Sequence, residues 1–454
     1  MSRELWAGLL LAAYALLCAA CWLGHRRRQR RAAADAAALL PAADAGPPVL
    51  VLHASQTGSA EELAWQSARA LHLAGLPVRV AALGELTAEE LLAARQALFI
   101  ASTYGEGDAP DSAARFVHQL MSRQDLDLGR LSVAVLALGD QTYAQYCGFG
   151  RALDAWLQAR GAHALFERID VDRGDTAALA AWRQHLSHIA GSADALDWQE
   201  QPFEAWRLVA RRHLNPGSAG GPVFQLTFEP ADGRALPDWQ AGDLVQLQLD
   251  GPDRTPREYT LAALPRDGRL ELMVRQLRRE DGSLGLGSGW LTQGLALGES
   301  ASLRLRAHSG FRIADNAQRP LILIGNGTGL AGLRAHLQAR EAEGGPPAWL
   351  LYGERQAAHD AHYADEIAAW QASGLLAQTD LVYSRDGGGP RYVQQRLAEQ
   401  AEQLRQWVAD GAAIYVCGSL EGMAGGVHAV LCEVLGSAQV DALITQGRYR
   451  RDVY

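Results

Sequence analysis

The chain has 454 residues, and at about 100–200 residues per domain this implies about three domains. A hydrophobic content of 48%, a charged content of 20% and a net charge of −9 describe a globular body and argue against nucleic acid as a partner. Five cysteines, with no downstream pair of C-x-x-C sets, give no zinc or iron–sulfur framework, and no metal site is expected.

Residues 5–24 carry no charge, and about 20 apolar residues suffice to cross a bilayer. Arg26, Arg27, Arg28, Arg30 and Arg31 follow at once, so the positive-inside rule holds everything after them in the cytoplasm. The expectation is a single-pass anchor over residues 1–31 in the inner membrane, with a cleaved signal peptide as the rival reading. An Ala- and Pro-rich tether over residues 32–48 follows.

Residues 49–191 read as a first nucleotide-binding fold. The apolar run at residues 49–52 leads into Ser55, Gln56, Thr57, Gly58, Ser59 and Ala60, and then into a helical stretch. Amides and hydroxyls gathered at a helix start suit a phosphate. A second strand ends in Ser102, Thr103, Tyr104, Gly105, Glu106 and Gly107, and a third in Gly139, Asp140 and then Tyr143. Each sets a tyrosine just past the carboxyl end of a strand, where an open parallel sheet binds its ligand, so Tyr104 and Tyr143 are placed to sandwich a planar ring.

After a small, acidic linker at residues 192–205, short strand-like runs punctuated by Gly, Pro and Asp predict an antiparallel β-barrel over residues 206–319. Within it, Arg257 suits a pyrophosphate, Tyr259 a flavin face and Thr260 a hydrogen bond near flavin N5. Gly287 and Ser288 open a helical turn suited to the same pyrophosphate.

Residues 320–454 alternate strands and helices, which predicts a second doubly wound sheet. A buried-strand run ends in Gly325, Gly327, Thr328 and Gly329, where glycines permit close approach to a dinucleotide pyrophosphate. Ser384 and Arg385, followed by Tyr392 and Gln394, offer a hydroxyl and a guanidinium to a 2′-phosphate, which favours NADPH over NADH.

The three loops around Ser55–Ala60, Ser102–Pro110 and Gly139–Cys147 resemble the FMN-binding loops of the diflavin reductase family, and the order of domains resembles the sulfite reductase flavoproteins within it. The resemblance implies a flavodoxin-like FMN domain, an FAD-binding barrel of the ferredoxin-reductase type and an NADPH-binding domain. It implies that Gly105, Glu106, Gly107 and Gly139 line the FMN ring, with Asp172 on a late loop beside it. Cys417, Asp452 and Thr260 are then expected to assist hydride transfer, with Tyr454 covering the FAD ring as a gate. Two departures stand out. Only residues 250–256 lie between the strand at 244–249 and Arg257, where the family inserts a helical connecting domain, and Pro390 stands where the family has a lysine. The implied activity is electron transfer from NADPH through FAD and FMN to a redox protein. A membrane haemoprotein reductase or ferric reductase is the alternative, and a non-catalytic membrane scaffold the remote one.

Overall fold

A computed structural model of the chain describes residues 47–191, 202–249, 255–265 and 268–454. The expected anchor, the tether as far as residue 46 and the linker as far as residue 201 lie outside the described residues. Among the described residues no single helix is long and apolar enough to cross a membrane.

The first sheet contains β1 (Val49–Ala54), β2 (Val78–Ala82), β3 (Gln96–Ser102), β4 (Ser132–Gly139), β5 (His163–Ala164) and β6 (Ile169–Asp172). The order β2-β1-β3-β4-β5, with β6 also paired to β4, is parallel throughout. All of β1 is buried because helices cover both faces, so its side chains alternate between two cores. Leu50, Leu52 and Phe99 enter one, and Val51, Leu98 and Ile100 the other. Helix α1 (Ser59–Leu73) starts at the carboxyl end of β1, and α2 (Gly148–Ala159) follows the loop after β4.

The second sheet contains β7 (Glu204–His213), β8 (Val223–Pro230), β9 (Leu244–Gln248), β10 (Arg257–Thr260), β11 (Leu270–Arg275) and β12 (Ser300–Arg306). Its order is β10-β9-β12-β7-β8-β11, antiparallel at every pair. A bridge between Leu261 and Leu272 joins the two edges and closes the barrel over Trp206, Phe228, Val245 and Leu303. β9 and β10 are hydrogen-bonded neighbours, Arg257 opposite Leu247.

The third sheet runs β15-β14-β13-β16-β17, parallel throughout. Its strands are β13 (Leu321–Asn326), β14 (Ala348–Glu354), β15 (Leu376–Tyr383), β16 (Ala413–Gly418) and β17 (Tyr449–Val453), and α3 (Leu330–Glu343) leaves the end of β13. The chain reverses direction across the sheet between β13 and β16, and ligands bind at the carboxyl edge of such a switch point.

Two expectations need correction. Of the barrel strands, the sequence expectation covers runs at 206–211, 223–229, 244–249, 259–261 and 270–274, whereas the structure adds β12, in the middle of the sheet between β9 and β7. β7 starts at Glu204, inside the expected linker.

Candidate functional site

A cleft of about 1410 Å³ runs between the barrel and the third sheet. This exceeds the roughly 300–1,000 Å³ usual for one small ligand, and suits two dinucleotides better than one. Arg275, Arg278, Arg355, Arg385 and Arg391 line it, against the acids Glu258, Glu354 and Asp452. In a chain of net charge −9, that local excess of guanidinium is the expected lining for pyrophosphates and a further phosphate.

Tyr259, Thr260, Thr328, Ser384, Tyr392, Gln394 and Tyr454 also line the cleft. Burial pushes the Tyr259 phenol up to about 12, so it stays a neutral ring and donor. Arg257 and Ser288 are placed differently. Arg257 donates to the carbonyl of Thr255 at 2.9 Å, and the Ser288 hydroxyl accepts from the amide of Leu277 at 3.1 Å; neither lines the cleft. A Cβ on Gly287 would lie 2.6 Å from the Tyr259 hydroxyl, so this glycine lets the helical turn Leu286–Gly289 close on Tyr259.

The glycines in β13 and just after it divide in role. A Cβ on Gly325 or Gly329 would stand 2.6 or 2.0 Å from the carbonyl oxygen of Cys417, so both serve strand and helix packing rather than the approach of a ligand. Gly327, with φ of 55°, faces the cleft beside Arg275.

At the bottom of the cleft, Asp452 Oδ2 accepts from Thr260 Oγ1 at 2.7 Å and faces Cys417 Sγ at 3.6 Å. The three residues come from β10, β16 and β17, and all are buried. Burial, reinforced by the nearby carboxylate, raises the Cys417 thiol well above its usual range, so it is a protonated donor and not a thiolate. Gly332 on α3 makes this possible, because a Cβ there would crowd Thr260 at 3.1 Å and Cys417 Sγ at 3.4 Å. Tyr454 is exposed, with its hydroxyl 3.0 Å from Thr328 Oγ1.

The loops of the first sheet meet at one edge. Gly58, at φ of 90°, is the N-cap of α1, and the first-turn amides of α1 have no intrahelical acceptors. The Ser55 hydroxyl caps Ala60 N at 3.2 Å, and Ser59 Oγ accepts from Arg306 at 2.8 Å. Arg306 is buried with its Nε unpartnered by any hydrogen bond among the described residues, a spare donor beside the loop where a phosphate fits. Burial pulls this guanidinium down to about 10, still a cation at neutral pH.

The Gln56 side chain is turned away from that loop, onto Asp111 Oδ2 at 3.0 Å and the carbonyl of Arg451 at 3.3 Å. Tyr104 is backed by the Arg451 guanidinium at 4.8 Å from its ring centre, whereas Tyr143 is exposed. The Tyr104 and Asp108 backbones exchange hydrogen bonds of 2.9 Å, which fixes the second loop. Asp172 accepts from Gln141 N at 3.0 Å and so holds the third. A Cβ on Gly139 would meet Cys147 N at 2.8 Å, and Gly107, at φ of 114°, would meet Gln145. Burial pushes the Cys147 thiol up to about 11, leaving it an inert packed group.

Sequence reasoning missed the residues that join this edge to the cleft. Arg306 donates to the Thr57 carbonyl at 2.6 Å and pairs with Glu258. His308 Nε2 lies 2.8 Å from the Gln56 carbonyl, and Arg451 pairs with Asp111. A Cβ on Gly58 would stand 2.7 Å from the Ala307 carbonyl, so the two domains touch backbone to backbone. Arg275 was missed as well. Its guanidinium meets Glu354 in the group of acids and histidine formed by Glu354, Asp360 and His362.

Comparison with known proteins agrees with this layout. Residues 51–183 match the flavodoxin family and residues 323–429 the oxidoreductase NAD-binding domain family. The sulfite reductase [NADPH] flavoprotein alpha-component of Neisseria meningitidis is 28% identical over 585 positions, covering 99% of this chain and 96% of the relative. The proteins of the same name from Serratia proteamaculans (28%; 92% of this chain and 91% of the relative) and Vibrio cholerae (26%; 91% and 88%) are similar too. An alignment of 585 positions against a chain of 454 leaves at least 131 positions of the Neisseria relative without a counterpart.

Proposed function

We propose that this chain, an NADPH-dependent flavoprotein oxidoreductase of the diflavin reductase family, delivers electrons at a membrane to a haem-containing protein. Its cofactors are FMN, FAD and NADPH. The observation that carries the reading is the direct seating of the flavodoxin-like domain on a cleft large enough for two dinucleotides, with Thr260 and Asp452 in its wall and Cys417 packed behind Asp452.

When bound, NADPH supplies a hydride, FAD takes it as an electron pair and FMN hands electrons on singly. The chain's own groups bind, orient and exclude water. The cleft arginines hold the phosphates, with Ser384 and Arg385 assigned to the 2′-phosphate. Thr260 and Cys417 donate to the Asp452 carboxylate, which fixes a negative charge where positive charge grows on a ring losing hydride. The Tyr454 side chain, which lines the cleft, would cover this point and would have to swing away for a nicotinamide to stack there. Tyr104 and Tyr143 would flank the FMN ring, and the start of α1 with Arg306 would take its phosphate. The uncharged run at residues 5–24 and the arginines after it support an inner-membrane anchor with the catalytic domains in the cytoplasm. The relatives' shared name supports a sulfite reductase partner, and the anchor supports a membrane haemoprotein or ferric acceptor instead.

One preparation tests these assignments. Membranes from cells making the full chain are expected to reduce an artificial acceptor with NADPH well ahead of NADH, and Arg385→Ala to narrow that preference about tenfold. Activity confined to the soluble fraction contradicts the anchor, and equal use of NADH contradicts the roles of Ser384 and Arg385.

A further inference from the structure

Two struts run from the first loop of the flavodoxin-like domain to the Asp452 carboxylate. The first is His308. Its ring is fully buried, with Nε2 2.8 Å from the Gln56 carbonyl, and the Nδ1 edge packs 4.0 Å from Asp452 Oδ1 without a hydrogen bond to it among the described residues, so it touches the carboxylate by packing alone. A ring nitrogen facing a carbonyl carries the proton, so Nε2 donates to Gln56. The His308 backbone is itself fixed, since its amide donates to Asp243 Oδ1 at 3.0 Å and Asp243 holds Arg312 through both carboxylate oxygens. His308 is therefore a rigid spacer between the two domains and not a mobile side chain.

The second strut is the C-terminal strand. Arg451, immediately before Asp452, pairs with Asp111 of the flavodoxin-like domain, its Nε 3.1 Å from Asp111 Oδ2. The Gln56 side chain closes the triangle, donating to Asp111 Oδ2 and to the Arg451 carbonyl while its own Oε1 accepts from Asp111 N at 2.9 Å. The Arg451 and Asp111 side chains are 14% and 18% exposed, so solvent screens this pair far less than a surface one. β17 is an edge strand, paired to β16 alone, which makes its last residues responsive to a partner on the other side.

We propose that seating of the flavodoxin-like domain sets the position of the Asp452 carboxylate, with His308 and Arg451 as positioning residues, so that hydride transfer in the cleft is coupled to the presence of the docked domain. This rests on the diflavin reductase reading and extends it. Hydride would be accepted at full rate only while the domain that takes the electrons onward is in place. It also gives a reason for the missing connecting domain, because the orientation is fixed by contacts with the barrel and the C-terminal strand.

The experiment uses the full chain carrying its flavins. In Asp111→Asn, amide hydrogen exchange over residues 449–454 should quicken about tenfold, as loss of one charge-assisted pair implies. Stopped-flow reduction of FAD by NADPH should slow by about threefold to tenfold, with KM for NADPH unchanged. Asp111→Glu, which keeps the charge, should restore both. His308→Gln keeps a donor toward Gln56 and loses the group facing Asp452, and should slow FAD reduction by a similar factor. Unchanged exchange and unchanged reduction in Asp111→Asn overturn the proposal, as does equal impairment in the Asn and Glu variants. Exchange is read on the protein itself and responds to Asp111→Asn whatever is bound. Failure of NADPH to reduce any flavin in the unaltered chain would instead overturn the family reading.

Discussion

Asp452→Asn is expected to slow the reduction of FAD by NADPH by about a hundredfold, the lower part of the range for a positioned acid or base group. Among the described residues, the hydroxyl of Thr260 and the thiol of Cys417 converge on Asp452, at 2.7 and 3.6 Å. Both are donors, because burial keeps the Cys417 thiol protonated. An asparagine removes the charge and sets an amide donor against one of the two. The fold should survive, since the substitution is nearly isosteric and the β16–β17 backbone pairing is untouched. Stopped-flow absorbance of the flavin measures the step directly, and a rate within twofold of the unaltered chain would remove Asp452 from the reaction.

Arg306→Met is expected to weaken the seating of the flavodoxin-like domain by about 3 kcal/mol, or about a hundredfold in the docked population. The Arg306 side chain is 5% exposed and meets Glu258, with Glu62 at 3.8 Å, the Thr57 carbonyl and the Ser59 hydroxyl. Methionine fills much of the volume but leaves two carboxylates facing each other without a cation. The lower end of the range for breaking a buried pair applies because Glu258 and Glu62 keep side-chain exposures of 31% and 30%. Small-angle scattering of the full chain should show a larger radius of gyration, which high salt should not enlarge much further. Scattering unchanged from the unaltered chain would show that Arg306 does not hold the domains together.

The parts of this molecule that were legible in the sequence are local. The phosphate loop is a strand, a hydroxyl-rich turn and a helix within a few residues, so periodicity and turn chemistry reveal it. The loops carrying Tyr104 and Tyr143 follow the same logic. His308, Arg306 and Asp111 were not legible because their partners lie 252, 249 and 340 positions away. Their residue types look like ordinary solvated polar groups until the domains meet. β12 was hidden for a related reason: Ser300, Ser302 and Arg304 alternate with buried Ala301 and Leu303, and with the charged Arg306 at its end they give it the pattern of a surface strand, although it lies in the middle of the barrel.

Glycine misled in the opposite direction. Gly325 and Gly329 fit a phosphate-binding pattern, yet the carbonyl of Cys417 occupies the space a side chain would need, and packing explains both. Gly332, which carries no motif, is the glycine that allows Thr260 and Cys417 to approach one another. A motif reports spacing along the chain, whereas the reason for a glycine lies in what faces it across the fold.

The most direct measurement of the central claim is the flavin content of the purified full chain. Acid-released cofactor should contain FMN and FAD in near-equal amounts, one for the first sheet's loops and one for the barrel. FAD alone would contradict the assignment of the Ser55–Ala60 loop and of Tyr104 and Tyr143, and with it the account of a two-flavin reductase.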